Sequence, residues 1–285
     1  MKYCFLYNRG LNLEKPNEIK IKWSDDKARK AGLKNFIEAH IDKRIIIQVD
    51  DIAEFIDTVA LNVILEAQKA LSQAEITVCF DRLTSARETI DEELVDYLPL
   101  LKEIPFFFNH IITSWQQLRY YLSLGVSDVY IGEDLCFDLP KVRKHCDRFN
   151  VTIRTFPNVA QKDDVEALKA FFIRPDDVEY LSQYIDVLEF WGPLDRQETY
   201  HKIYTQGYWY GDLNEIIIGM APEVSISNLG LLPSWPMVRA NCRRDCLNGY
   251  KCTACERLLD ISKSLTDQKI MIKHSKEPLD FNKKI

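Results

Sequence analysis

Four of the eight cysteines fall within fourteen residues: Cys242, Cys246, Cys252 and Cys255. Their spacing is C-x3-C-x5-C-x2-C, two close pairs around a short turn that contains Gly249. Four thiolates held around one centre select zinc or an iron–sulfur cluster over hard cations. The spacing matches neither a zinc ribbon nor a ferredoxin run, so the metal stays open between the two. The bland reading is four unrelated thiols in a loop. Between residues 238 and 257 the chain carries five basic residues against two acidic ones. Arg239, Arg243, Arg244, Lys251 and Arg257 can offset thiolate charge, or contact a phosphate, a small molecule or RNA. Cys4 and Cys79 sit inside apolar runs and read as small buried hydrophobes.

A second set of reactive groups follows short β-branched or aromatic runs. Asp50 and Asp51, Asp81, Asn109 and His110, Glu133 and Asp134, Asn158 and Gln161, Arg174, and Glu189 with Trp191 all stand at or near the ends of such runs. Carboxylates converging on one mouth act as acid and base, or bind a divalent cation. An Asp after a strand is also the usual N-cap of the next helix, and Asp51, Asp134 and Asp176 are read that way. Asp81, Glu133 and Glu189 are kept as catalytic candidates. Asp50, Asn109, Arg174 and Trp191 are kept as substrate-binding candidates. His110 is read as a structural hydrogen-bonder.

The elements that would position these groups repeat. Runs at 18–23, 44–49, 76–80, 106–111, 128–132, 151–155, 171–174 and 186–190 read as strands, each followed by a helical pattern. Ser114 suits the N-cap of a helix carrying Leu118, Tyr121 and Leu122, and Pro140 suits a first turn. Gly207 suits a helix C-terminus. Strands alternating with helices imply parallel strands joined by crossovers, and eight such units imply a closed barrel. The expected fold class is therefore α/β, a (β/α)8 TIM-barrel-like domain with a C-terminal four-cysteine metal-binding segment; a doubly wound open sheet is the structural alternative. The expected domains are an N-terminal extension at 1–17, the barrel at 18–207, and the cysteine-bearing segment at 208–285.

Composition narrows the classes. The chain has 285 residues, 46% hydrophobic and 28% charged, with a formal net charge of −6. That is ordinary for a globular protein, and it gives no bulk attraction to nucleic acid or to an anionic membrane. No apolar run is long enough for a membrane span, and the first residues lack a signal-peptide pattern, so a cytoplasmic location is expected. Only 10 residues are glycine, and neither G-x-G-x-x-G nor a P-loop occurs; H-E-x-x-H and G-x-S-x-G are absent as well.

Three segments resemble the family called peptidase U32, or collagenase-like. Gly125-Val126-Ser127-Asp128-Val129-Tyr130-Ile131-Gly132 is similar to that family's strand with a G-x-D-x-V-Y-I-G pattern. Val187-Leu188-Glu189-Phe190-Trp191-Gly192 is similar to its E-x-F-x-x-G strand. A cysteine quartet then follows a loop from Leu231 through Pro233 and Arg239 to Cys242. The resemblance implies a barrel-like α/β fold, a four-cysteine iron–sulfur cluster, and a part in hydroxylation of RNA bases or quinone precursors. Two departures stand against it: Pro193-Leu194-Asp195 replaces the family's cysteine after the second motif, and the four cysteines here are compressed, which favours zinc. Three functions are thus carried forward. They are a U32-like iron–sulfur or zinc barrel protein modifying RNA or a small molecule, a non-enzymatic scaffold with a structural zinc, and a metal-assisted hydrolase or lyase using the acidic strand ends.

Overall fold

A computed structural model gives the fold. It describes residues 1–6, 17–22, 27–50, 60–71, 73–81, 98–99, 101, 104–157, 172–191, 196–218, 226–231 and 253–261. The chain divides into two compact units, Met1–Phe156 with Glu179–His201, and Pro157–Val178 with Lys202–Ile285.

Among the described residues, the first unit is built on one sheet of nine parallel strands. They are β1 (Lys2–Leu6), β2 (Glu18–Lys22), β3 (Arg44–Val49), β4 (Glu75–Phe80), β5 (Phe106–Phe108), β6 (Ile111–Ile112), β7 (Asp128–Ile131), β8 (Thr152–Thr155) and β9 (Val187–Glu189). Their order is β5-β4-β3-β2-β1-β9-β8-β7-β6. Every pairing is parallel. The first and last strands of that order, β5 and β6, are successive pieces of a single stretch of chain interrupted at Asn109 and His110. Phe106 of β5 accepts the Ser127 N–H at 2.8 Å, and Ile112 of β6 accepts the Gly132 N–H at 3.0 Å. Side chains confirm the closure. Arg44 of β3 reaches Asp128 of β7 at 2.6 Å, although five inter-strand steps of an open sheet would hold those strands about 24 Å apart. The sheet therefore runs round on itself as a barrel of eight staves, β5 and β6 forming one of them.

The staves are covered outside by helices. In the first unit those described are α1 (Lys27–Ala39), α2 (Ala60–Ala70), α3 (Trp115–Ser123) and α4 (Leu139–Asp147); α5 (Val178–Leu181) and α6 (Gln197–Gln206) each run across the division of the chain, and α7 (Asn228–Leu231) belongs to the second unit. Helix α3 starts as the sequence predicts. Ser114 Oγ accepts the Gln117 N–H at 3.2 Å, the Gln117 side chain accepts the Ser114 N–H, and Leu118, Tyr121 and Leu122 are buried. Pro140 stands in the first turn of α4, and Gly207 follows α6 with φ +77°.

Alternation along each stave sends one side chain outward and the next inward. Phe108 packs outward on Tyr121 of α3, at 5.5 Å between ring centroids, while Phe107 lies inside beneath the Arg154 guanidinium at 4.9 Å. The outward layer is apolar, with Ile19, Ile45, Ile47, Val78, Val129 and Ile153 all buried. The inward layer holds Glu18, Lys20, Arg154 and Glu189, also buried.

Two expectations about the staves are corrected. Lys2–Leu6, assigned to an extension outside the barrel, is a stave between β2 and β9. The run expected as a strand at 171–174 supplies no stave among the described residues: 172–174 form no strand. They belong to the second unit, where Ile173 donates its N–H to Pro157 at 3.0 Å. Both runs are short and aromatic, so local propensity does not separate them. The choice is made by which one can pair on both sides.

In the second unit, Tyr204 donates its hydroxyl to the Ile173 carbonyl at 2.7 Å, and residues 254–261 are helical. Among the described residues no helix is long and apolar enough to cross a membrane.

Candidate functional site

The barrel interior is an ionic core in two layers. At the N-terminal ends of the staves, Arg44 grips Asp128 with both terminal nitrogens, at 2.8 and 2.6 Å, and its Nε donates to Thr77 at 2.9 Å. Arg154 donates from Nε to Asp128 at 2.7 Å and from Nη2 to Glu18 at 2.5 Å. Asp128 also accepts from the Ser127 hydroxyl at 2.6 Å. Burial alone would raise the Asp128 carboxyl. The Arg154 and Arg44 charges outweigh it and hold the group down at about 2. Both guanidiniums are correspondingly held in the charged form against their own desolvation, Arg154 chiefly by Asp128 and Glu18.

One layer up lies the group of chemical interest. The Lys20 ammonium donates to Glu189 Oε1 at 2.8 Å, to the Tyr130 hydroxyl at 3.0 Å and to Asn109 Oδ1 at 3.5 Å. Tyr130 donates its hydroxyl to the other Glu189 oxygen. Asn109 passes the chain on: its Nδ2 donates to Asp81 Oδ1 at 2.7 Å, and Gln48 Nε2 donates to Asp81 Oδ2 at 2.5 Å. Asp81 and Asn109 are placed by backbone bonds that prolong the sheet, since Asp81 N–H donates to Val49 and Asn109 N–H to Phe80, each at 2.8 Å. The result is a continuous path, Asp81–Asn109–Lys20–Glu189–Tyr130, drawn from five staves.

Electrostatics settles which forms these groups take. Burial pulls the Lys20 amine down, but Glu189 and Tyr130 more than reverse it, and the group stays an ammonium. Glu189 is pushed up by burial and pulled further down by Lys20 and Arg154, so it is a carboxylate. Tyr130 is driven far above an ordinary phenol, first by burial and then by the Glu189 charge. Burial also raises Cys4, and raises Cys79 to about 12, so both are thiols rather than thiolates. Among the described residues, the part of this core below the mouth pairs three cations (Lys20, Arg44, Arg154) with three carboxylates (Glu18, Asp128, Glu189). Neutrality is what lets so many charges share a desolvated interior.

Of the sequence candidates, Asp81, Glu189 and Asn109 are joined in this path. Asp50 is exposed at the end of β3, 3.0 Å from Lys22. Trp191 is 54% exposed just beyond β9. Glu133 opens a single 3-10 turn directly after β7 and Gly132; its side chain and that of Asp134 lie outside the described residues. Arg174 falls in the second unit and is buried there. Asp177 holds it at 3.0 and 2.8 Å, and it donates to Asn228 at 3.4 Å. These bonds tie its guanidinium to neighbours within the second unit. Asp177, and not Asp176, folds back on the Arg174 backbone at 3.4 Å, while Asp176 accepts from Asn228 at 2.6 Å. His110 stacks on Tyr121 at 6.0 Å and is lowered by burial. Asp51, Asn158, Gln161, Cys242, Cys246 and Cys252 lie outside the described residues. Cys255 lies in the helix at 254–261 and is part-buried. Among the described residues no group of three or more His, Cys, Asp or Glu side chains forms a metal cage.

Sequence reading missed Glu18, Lys20, Arg44, Tyr130 and Arg154. A signal was present: E-I-K-I-K at 18–22 alternates charge with isoleucine, and R-I-I-I-Q at 44–48 and T-I-R at 152–154 each set an arginine in an otherwise β-branched strand. A charge in such a place needs a partner, and several strands carrying them point to a shared interior.

No protein-family profile matches the chain. No curated protein matches it either. Several solved structures are similar in fold. The aminoacrylate-bound tryptophan synthase of Mycobacterium tuberculosis is 12% identical over 67% of this chain and 81% of that one, with a TM-score of 0.42. The tryptophan synthase complex of Pyrococcus furiosus is 11% identical over 68% and 84%, with a TM-score of 0.40. A 4-hydroxy-2-oxoglutarate aldolase is 14% identical over 72% and 93%, with a TM-score of 0.37. At these TM-scores the likeness carries no weight for chemistry.

Proposed function

We propose that the chain is an acid–base enzyme of the lyase type, acting on a small carbonyl compound at the C-terminal mouth of a (β/α)8 TIM-barrel-like domain. The observation that carries this reading is the buried Lys20 ammonium one layer below the mouth, linked through Asn109 to the part-exposed Asp81. Chemistry in such barrels sits at the C-terminal ends of the strands. Lys20 is held charged, which disfavours an imine-forming amine; Cys4 and Cys79 are held as thiols, which disfavours thiolate attack. What remains is electrostatic stabilisation and proton transfer. The 3.5 Å contact to Asn109 is the loosest of the three that Lys20 makes, and a substrate oxygen can take its place. Asp81 then removes a proton from the carbon beside the carbonyl, the electron pair moves to that oxygen, and Lys20 holds the resulting negative charge. Glu189 and Tyr130 orient Lys20.

The test is exchange of α-protons for deuterium in D2O, followed by proton NMR, with pyruvate, 2-oxoglutarate and dihydroxyacetone as probes. Wild type is expected to exchange at least one, and Asp81→Asn and Lys20→Met to slow that exchange by about 100-fold or more, the range of a general base or an oxyanion donor. No exchange by wild type with any of the three overturns the reading.

A second reading is favoured by the cysteine quartet. Soft thiolate donors at Cys242, Cys246, Cys252 and Cys255 suit zinc or an iron–sulfur cluster, and the U32 resemblance then supports modification of RNA or a small molecule near that basic segment. When bound, the cluster would supply electron transfer and zinc would supply a structural staple. Elemental analysis of anaerobically purified protein tests this reading. Absence of both iron and zinc ends it.

A further inference from the structure

Between its reacting groups the first unit carries an amide of its own. The Asn109 carboxamide stands with its oxygen 3.5 Å from the Lys20 ammonium and its Nδ2 2.7 Å from Asp81 Oδ1. The charges on either side fix that orientation: reversed, the NH2 group would meet an ammonium and the oxygen a carboxylate. Yet neither charged group depends on Asn109 for its place. Lys20 is held by Glu189 at 2.8 Å and by Tyr130 at 3.0 Å. Asp81 is held by Gln48 at 2.5 Å and, through its backbone N–H, by Val49 at 2.8 Å. Asn109 itself is half-buried in the break between β5 and β6, anchored by its N–H to Phe80 at 2.8 Å. Its carboxamide can therefore swing aside by side-chain rotation alone, leaving ammonium and carboxylate in position. The bond to Lys20 is easily given up, since at 3.5 Å it is well beyond the usual N–H···O length of about 2.9 Å.

We infer that the Asn109 carboxamide is an internal stand-in for the substrate, filling a subsite for a neutral O=C–X–H unit whose oxygen goes to Lys20 and whose hydrogen faces Asp81. This rests on the acid–base reading for the reaction and adds what the ligand must present. With X nitrogen the unit is a carboxamide or a lactam. With X carbon it belongs to the carbonyl compound of the proposed reaction, and rotation about the C–C bond turns the hydrogen out of the carbonyl plane, as its removal requires. A carboxylate fits the same outline but sets its second oxygen against Asp81, so the subsite selects against it. While Asn109 sits there it competes with every ligand. The apparent affinity is then reduced by the fraction of molecules in which it has swung away.

Formamide restores the carboxamide that Asn109→Gly removes, and formate has the same size with a negative charge. Ligand-observed NMR titration of the full chain reads both without turnover. Asn109→Gly is expected to bind formamide about tenfold tighter than wild type, the gain from removing a competitor that fills the subsite about nine-tenths of the time. It is expected to prefer formamide to formate. Adding Asp81→Asn should reverse that order, because the charge facing the ligand is then gone. If wild type exchanges α-protons, Asn109→Gly should also lower KM; a raised KM marks a side chain that binds substrate and would overturn the inference. If wild type exchanges none, the acid–base reading fails by itself, and the formamide titration still decides the subsite. Formamide bound no tighter by a folded Asn109→Gly or Asn109→Ala protein than by wild type, or formate bound as well as formamide, would also overturn it. So would unfolding of both variants, because the carboxamide would then be needed by the fold.

Discussion

Arg154 is one of the two largest side chains with almost no exposed surface. It holds Asp128 and Glu18 together across the barrel at 2.7 and 2.5 Å. Removing one partner of a buried ion pair leaves an uncompensated charge, which costs about 3–5 kcal/mol. Arg154→Met is expected to lower the free energy of unfolding by that amount, measured as a shift of the denaturation midpoint at constant slope. Lys20→Met strips Glu189 of its closest counter-charge and is expected to destabilise as well. An apolar replacement of Lys20 and Glu189 together should recover part of the loss, because no lone charge then remains in the interior. A double variant as unstable as the summed single variants would show that the pair is not coupled.

At the scale of elements, the register of each stave decides which side chains meet. Ser114 caps α3, whose Tyr121 packs on Phe108 of β5 and stacks with His110. Its capping oxygen satisfies one N–H that would otherwise lack a partner, so Ser114→Ala is expected to cost about 1 kcal/mol; Ser114→Asp should lose far less, by thermal unfolding. β1 is the more consequential element, because it joins β2 and β9 and brings Cys4 level with Glu18 and Glu189. Deleting residues 1–6 is expected to leave two unpaired parallel edges, which template association. Size-exclusion chromatography of that variant should show higher oligomers, where an extension outside the barrel would be dispensable.

For the whole first unit, the ionic core makes stability depend on acid. The Asp128 pKa is depressed in the folded state, to about 2, from about 3.9 in an unfolded chain. Its contribution is therefore fully present above about pH 4 and is lost as pH falls through 2. It amounts to roughly 2.5 kcal/mol at 1.36 kcal/mol per unit. Glu189 shifts in the same direction and adds to the same limb. Denaturation followed from pH 6 down to pH 2 should show this fall, and Arg154→Met, in which Asp128 loses its strongest counter-charge, should flatten it. In the cysteine segment, single Cys→Ser changes at Cys246 and Cys252 are expected to lose bound metal. Full metal retention in both would remove those residues as ligands.

Parallel strands alternating with helices were legible in the order of residues alone, because β-branched runs, caps and breakers act within a few neighbours. Seven of the eight staves, the Ser114 cap and the burial of Cys4 and Cys79 belong to that local information. So do Asp81, Asn109 and Glu189, which stand where strands end. The eighth stave was not legible, since Lys2–Leu6 and the run at 171–174 have similar local character and only pairing on both edges separates them. The ionic core was not legible either. Lys20 and Glu189 lie 169 positions apart, and nothing in the alternation of either strand names the other. Closure of the barrel decides it: once the sheet meets itself, alternate side chains of every stave share one small, desolvated interior. There each charge must find its partner, and Lys20 comes to lie between Glu189, Tyr130 and the Asn109 that leads to Asp81.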